Sequence, residues 1–274
     1  MVVKIYDMNK ILVFIAVAVS SVLFGQSTRF IYEVRMTPNI NDKSEQKVEN
    51  AYLDVSGQSS LFVSENQIKR DSVMQRMRET RNFSMQNVAD LRSIINYTIE
   101  KDLSSSSVTY KERIGRQLYS YQEDRELEWE ILPETAKLGD YQTQKAKTTF
   151  GGREWYAWFT LEIPLHDGPY KFNGLPGLII KVEDEEGDYS FDLKESKSIS
   201  SPTIVQTRGS EIKLKRSDFE KQKAKYIKDP VAFMQASSGG RGGRMSIDPQ
   251  RAREMQNRMR QEVQNLSNPI ELNK

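Results

Sequence analysis

The sequence predicts an α+β fold: a large, twisted antiparallel β-meander, open or curled into a partial barrel, with a helical insertion near 67–95 and C-terminal helices. Three observations predict it. Between 96 and 199, short alternating apolar runs recur in pairs, each pair separated by Gly, Ser or acidic turn residues. The clearest run, 155–163, puts Trp155, Ala157, Phe159, Leu161 and Ile163 on one face and Tyr156, Trp158, Thr160 and Glu162 on the other. Around 67–95 and again beyond 217 the apolar spacing lengthens to that of a helix.

Taken in order, 29–36 (RFIYEVRM) reads as a first strand, and 51–55 with 60–64 as a hairpin around Gly57. Val73, Met74 and Met77, then Met85, Val88, Leu91, Ile94 and Ile95, carry helical spacing. Strands 96–101 and 108–113 flank a run of four serines. Strands 117–122 and 127–132 flank Glu123-Asp124-Arg125, read as a charged hairpin turn. Strands 141–150 and 153–163 flank Gly151-Gly152, which suits a two-residue turn with positive φ. Strands 178–183 and 189–193 flank Asp184-Glu185-Glu186-Gly187. Because both faces of 155–163 are partly apolar, that strand is expected to be central and covered on both sides. After Ser200 the strand signals fade. Ser217-Asp218 is positioned to cap a helix that Pro230 interrupts. Ala252, Met255, Met259, Val263 and Leu266 make a narrow apolar stripe on a last helix, which Asn268-Pro269 ends.

Four segments follow: 1–25 as a signal peptide, 26–236 as the β-rich domain, 237–244 as a Gly/Ser/Arg linker, and 245–274 as an amphipathic helix with a tail. The leader has Lys4 and Lys10 before the apolar run 11–24, and Gly25 at a cleavage point. That run is shorter than the about 20 residues of a spanning helix, so no transmembrane span is expected after its removal. The chain has no cysteine, which excludes disulfides and thiol catalysis. Losing Lys4, Lys10 and Asp7 turns 40 basic and 38 acidic residues into 38 and 37. Such a balance argues against a nucleic-acid footprint.

The stretch 164–177 is dense in residues that fix backbone shape: Pro164, Gly168, Pro169, Gly174, Pro176 and Gly177. It reads either as a binding loop or as a shaped crossover that packs Tyr170, Phe172 and Leu175 on the sheet. Trp155, Trp158, Tyr170 and Phe172 are the candidate ligand-binding residues. His166, the single histidine, stands beside Asp167, but no G-x-S-x-G nucleophile accompanies the pair. One histidine without cysteine is a poor zinc set. The acidic run 184–188 lacks the ligand ladder of a calcium loop. Met74, Met77, Met255 and Met259 read as packing rather than a copper site. No catalytic residue, metal or cofactor is assigned.

Gly152-Arg153, Trp155, Ala157-Trp158, Ile163-Pro164, Gly168-Pro169-Tyr170 and Gly174-Leu175-Pro176-Gly177-Leu178-Ile179, with Gln144-Lys145-Ala146 before them, resemble the signature of the GLPGLI family of secreted Bacteroidetes proteins. The leader, the early strand and Asn268-Pro269-Ile270-Glu271 are similar to that family as well. Where family members often carry a cysteine before the Lys-Ala step, this chain has Thr143-Gln144. The resemblance implies export to the periplasm or outer cell envelope. It brings no established activity and no catalytic residues. The expected function is a non-enzymatic binding or accessory protein for an apolar ligand, a peptide or an outer-membrane or envelope partner. The competing reading is a periplasmic hydrolase using carboxylates around Asp167, Glu183 and Asp184.

Overall fold

The computed structural model describes residues 27–81, 91–205, 209–237 and 267–272, with Gln250, Arg253, Glu254, Asn257, Arg260 and Gln261 between them. The expected leader, the linker beyond Ser237 and the Met255–Met259 stripe lie outside the described residues. The strands are β1 (Ser27–Met36), β2 (Lys47–Ser56), β3 (Ser59–Ser64), β4 (Tyr97–Asp102), β5 (Ser107–Ile114), β6 (Gln117–Gln122), β7 (Glu130–Leu138), β8 (Tyr141–Phe150), β9 (Arg153–Thr160), β10 (Leu178–Asp184), β11 (Tyr189–Ile199) and β12 (Glu211–Leu214). Among the described residues the helices with defined bounds are α1 (Glu65–Thr80), α2 (Arg216–Lys228) and α3 (Pro230–Ser237).

All twelve strands of the described residues form one sheet in the order β12-β6-β5-β4-β3-β2-β1-β11-β10-β9-β8-β7. Neighbours are antiparallel except β12, which runs parallel to β6 and makes the sheet mixed. The sheet does not close, since β12 and β7 are its two edges. It does curl. Bulges interrupt the register after Ile31 in β1, after Ile179 in β10 and after Ile131 in β7, and each adds local twist. The curl makes one concave face, on which Leu53, Phe62, Ile99, Tyr110, Ala157 and Val182 join a single core. Alternation along each strand builds that face. In β9, Trp155, Ala157 and Phe159 are buried while Glu154, Tyr156 and Trp158 stay half-buried outside.

The structure corrects several sequence expectations. Strands β6 and β7 are not a hairpin, for they lie near opposite ends of the sheet. The segment 123–129 crosses between them because Glu123 and Arg125 bind groups on the concave side. Strand β7 also begins later than 127 and carries Pro133 within its bulge, a place that an edge strand tolerates. Strand β9 is paired on both edges, and its outer-face residues Glu154, Tyr156 and Trp158 are half-buried rather than sealed. Helix α1 starts at Glu65, with Ser64 Oγ accepting from Gln67 N, and residues 91–96 are not α-helical. Ile95 is fully buried in the core instead. The cap of α2 is Lys215 without a side-chain bond, not Ser217, and Pro230 opens α3 after the break at Asp229.

Candidate functional site

The stretch between β9 and β10 turns inward and fills the concave side of the sheet as a plug. Asp167, Gly168, Pro169, Tyr170, Lys171, Phe172, Leu175 and Gly177 are buried, whereas Pro164, His166, Gly174 and Pro176 stay exposed. The plug carries its own backbone bonds. Gly174 N donates to His166 O (3.1 Å), Leu178 N to Ile163 O (3.1 Å) and Ile179 N to Asp167 O (3.0 Å). Tyr170 sits at φ 52, an uncommon angle for a side chain of its size. Surrounding rings hold it there: Tyr97 at 5.2 Å, Phe172 at 5.9 Å and Phe191 at 6.4 Å.

Two lysines anchor the plug. Lys101, from β4, is 4% exposed and donates to Asp167 Oδ1 (2.6 Å), Gly168 O (2.6 Å) and Phe172 O (3.1 Å). Burial lowers the Lys101 pKa, and Asp167 opposes that shift. Lys171 lies in the plug itself, 1% exposed, and donates to Tyr121 Oη (2.6 Å), Glu123 Oε2 (2.6 Å) and Glu271 Oε1. Its ammonium also faces the rings of Tyr110 at 4.9 Å, Tyr121 at 5.0 Å, Tyr170 at 5.4 Å and Phe150 at 5.7 Å. The group thus ties the β5–β6 arm, the β8–β9 turn and the C-terminal tail to one point.

The tail 267–272 is part of this packing. Glu271 also accepts from Arg125 Nη2 (2.7 Å) and from Tyr170 Oη. Buried Asn268 donates to Thr37 O (2.9 Å) and accepts from Arg153 Nη2. Arg153 in turn bridges to Asp184 Oδ2 (2.7 Å) and Asp188 Oδ2 (3.4 Å). Leu272 N closes the contact on Gly151 O (2.6 Å). The tail was legible only through its resemblance to a known signature. A buried lysine between two aromatic residues gave no periodic signal at all.

The four aromatic candidates do not share one open surface. Trp155 packs on Phe172 at 4.8 Å, and both are sealed in the core with Tyr170. Trp158 points to the outer face, under Lys145 Nζ at 5.7 Å. The carboxylates around the loop serve different cations: Asp167 pairs with Lys101, Asp184 with Arg153, and Glu183 with Lys181 at 2.7 Å. His166 is exposed on the loop. A separate groove of about 500 Å³ opens on the outer face, between β2–β5 and the segment 202–205.

The buried ion network makes stability depend on acid. Burial alone would raise the Glu123 carboxyl, but Arg125 and Lys171 outweigh it and hold it at about 2, against an ordinary 4.5. Burial likewise opposes, and Lys171 and Arg125 override, in lowering Glu271. Asp184 shifts the other way, raised mainly by burial. Depressed carboxylates stabilise the fold fully above their unfolded pKa and lose that contribution as pH falls through the folded value. Denaturant midpoints are therefore expected to fall between pH 4.5 and about 2, with Glu123 contributing on the order of 2 kcal/mol. In Glu123→Gln the fall should be shallower over the same window.

The exposed loop positions separate backbone from side-chain roles. Gly174 has φ 88, and an added Cβ would meet nothing within 4 Å. Gly174→Ala should therefore cost only the strain of that angle, about 1 kcal/mol. His166→Ala should stay within about 0.5 kcal/mol. Paired urea melts check both values.

Residues 151–181 match the model of a family described as a protein of unknown function (Porph_ging). That stretch runs from the β8–β9 turn through the whole plug into β10. A search of the curated proteins yields no similar sequence. The structure of PNGF-II in the P21 space group is similar in fold, with a TM-score of 0.51 and 14% identity over 72% of this chain and 32% of that one. The structure of PNGF-II in the C2 space group gives 0.50 and 13%, again over 72% and 32%. The chain spans about a third of the length of those structures, and at this identity the likeness is one of fold.

Proposed function

We propose that this chain is an exported protein of the cell envelope that acts by binding, as a non-enzymatic binding or accessory protein for an apolar ligand, a peptide or an outer-membrane partner. One observation carries the reading. The charged groups of the signature loop and its surroundings are spent on one another: Lys101 on Asp167, and Lys171 on Glu123 and Glu271. The loop thereby acts as an internal plug that sets the curl of the sheet, and contact with other molecules falls to the outer surface. The apolar leader 11–24 supports export.

Cell fractionation, N-terminal sequencing and crosslinking in native envelopes test the reading together. A mature chain lacking 1–25, found in the envelope with a specific partner or an extractable ligand, is the expected result. A chain that begins at Met1 in the cytoplasm, or one that has neither ligand nor partner, would overturn it.

A further inference from the structure

We propose that the outer groove over β3–β5 binds a short extended peptide carrying basic side chains. This rests on the binding function proposed above and names its ligand class. Ser59, Asp102 and Ser107 are register partners across β3, β4 and β5, and so are Leu61, Glu100 and Thr109. Phe62 and Ile99 belong to the core, so the intervening Leu61 and Glu100 face outward. These two rows make the floor. Pro202, Thr203, Ile204 and Val205 make the wall, and the groove holds about 500 Å³, a size usual for ligand sites and too large for a lone amine.

The wall is fixed in place. Thr203 N donates to Asp54 Oδ2 (2.7 Å), and Arg29 Nη2 donates to Thr203 Oγ1 (2.7 Å). Arg29 grips the same Asp54 through two bonds of 2.7 and 2.8 Å. A wall anchored this way needs little ordering when a ligand arrives. Beyond the anchor Ile204 is 84% exposed, an apolar side chain beside polar walls.

The charges select the ligand. The nearby cations among the described residues are occupied: Arg29 by Asp54, Lys111 by Glu100 (2.8 Å) and Glu211 (3.3 Å), and Lys101, whose ammonium lies on the core side, by Asp167 (2.6 Å). Asp102 has no cationic partner among the described residues. Its Oδ1 accepts from Ser104 N (2.9 Å). The groove therefore offers carboxylate and hydroxyl oxygens with no spare cation among the described residues. Anions are repelled. Donors are favoured, and an extended peptide supplies them as backbone N–H groups and ammonium side chains, with apolar side chains to lie against Leu61 and Ile204.

Fluorescence polarisation with three labelled pentapeptides tests this: Ala-Lys-Ala-Lys-Ala, Ala-Glu-Ala-Glu-Ala and Ala-Ser-Ala-Ser-Ala. The lysine peptide should bind at least about tenfold more tightly than the others, with the preference shrinking as salt rises. Glu100→Gln with Asp102→Asn should abolish that preference while leaving the melt unchanged. Ile204→Ser should weaken all three peptides. Equal binding of the three, no binding, or a lysine preference that survives the double variant would overturn the proposal. So would 1,5-diaminopentane competing as well as the peptide, since the site would then read charge alone. Crosslinking the double variant in envelopes separates the two readings. If a specific partner is retained there while the peptide never binds, the groove inference fails and the binding function stands.

Discussion

Gly177→Ala is expected to destabilise the protein by at least about 3 kcal/mol, far more than the same change at Gly174. The cause is not φ, for Gly177 lies outside the left-handed region that Gly174 occupies. It is close approach. A Cβ on Gly177 would stand 1.9 Å from Thr160 O, 2.7 Å from Thr160 C and 3.3 Å from Leu161 N. These are backbone atoms, not the tip of a side chain that could swing away. Thr160 is itself the register partner of Leu178, so relief requires β9 and β10 to part where the plug re-enters the sheet. Overpacking that side chains can absorb costs about 1–3 kcal/mol, and a fixed backbone puts this case at or above the top of that range. Urea melts of Gly177→Ala, Gly174→Ala and His166→Ala should rank in that order of loss. A Gly177→Ala protein within about 0.5 kcal/mol of wild type would mean that the plug does not lie against β9 as described.

The same residues show how far the sequence could be read. Strands with one face inside, such as β9, print a period of two, and their neighbours follow from turns whose glycines need positive φ, as at Gly151 and Gly152 (61° and 77°). The opposite facing of Trp155 and Trp158 follows from parity alone. The density of Pro and Gly in 164–177 indicates a shaped loop, but nothing local says that it turns inward. That depends on Lys171 finding Glu123 and Glu271, 48 and 100 residues away in sequence. A lysine destined for burial is written like any surface lysine. For the same reason Glu123-Asp124-Arg125 resembles a solvated hairpin turn, although Glu123 and Arg125 are ligands of the buried ammonium and its partner. Strand β12 escapes notice because it is four residues long, has no buried residue and pairs parallel with a strand distant in sequence. The outer groove is equally silent, as its lining comes from four strands, β2 to β5, and a segment some 100 residues later, joined only by folding.

Removal of residues 267–274 is expected to leave a chain that no longer folds cooperatively at neutral pH. Composition alone casts 245–274 as an appended segment, yet the tail residues are structural partners. Asn268 and Glu271 are the counterparts of three buried or half-buried cations: Arg153, Lys171 and Arg125. Without the tail, Lys171 keeps one carboxylate, Glu123, in a cage of four aromatic rings, and Arg153 loses Asn268 and the carbonyl of Pro269. Removing one partner of a buried ion pair costs about 3–5 kcal/mol, and each hydrogen bond lost from the Arg153 guanidinium adds about 1.5–3 kcal/mol; together they approach the about 5–15 kcal/mol that holds a domain together. Glu271→Ala isolates the first loss and should cost about 3 kcal/mol or more. Glu271→Gln should fall between Ala and wild type, because it can still accept from Tyr170 and Arg125 but carries no charge. The decisive variant is the pair Lys171→Met with Glu271→Leu. Its cage is already aromatic, so an apolar pair should recover much of what Glu271→Ala loses, and the coupling between the two sites should exceed about 1 kcal/mol. If the double variant is only as stable as the sum of its single changes predicts, the charge on Lys171 is not what binds the tail, and contacts such as Asn268 to Thr37 and Leu272 to Gly151 carry it instead.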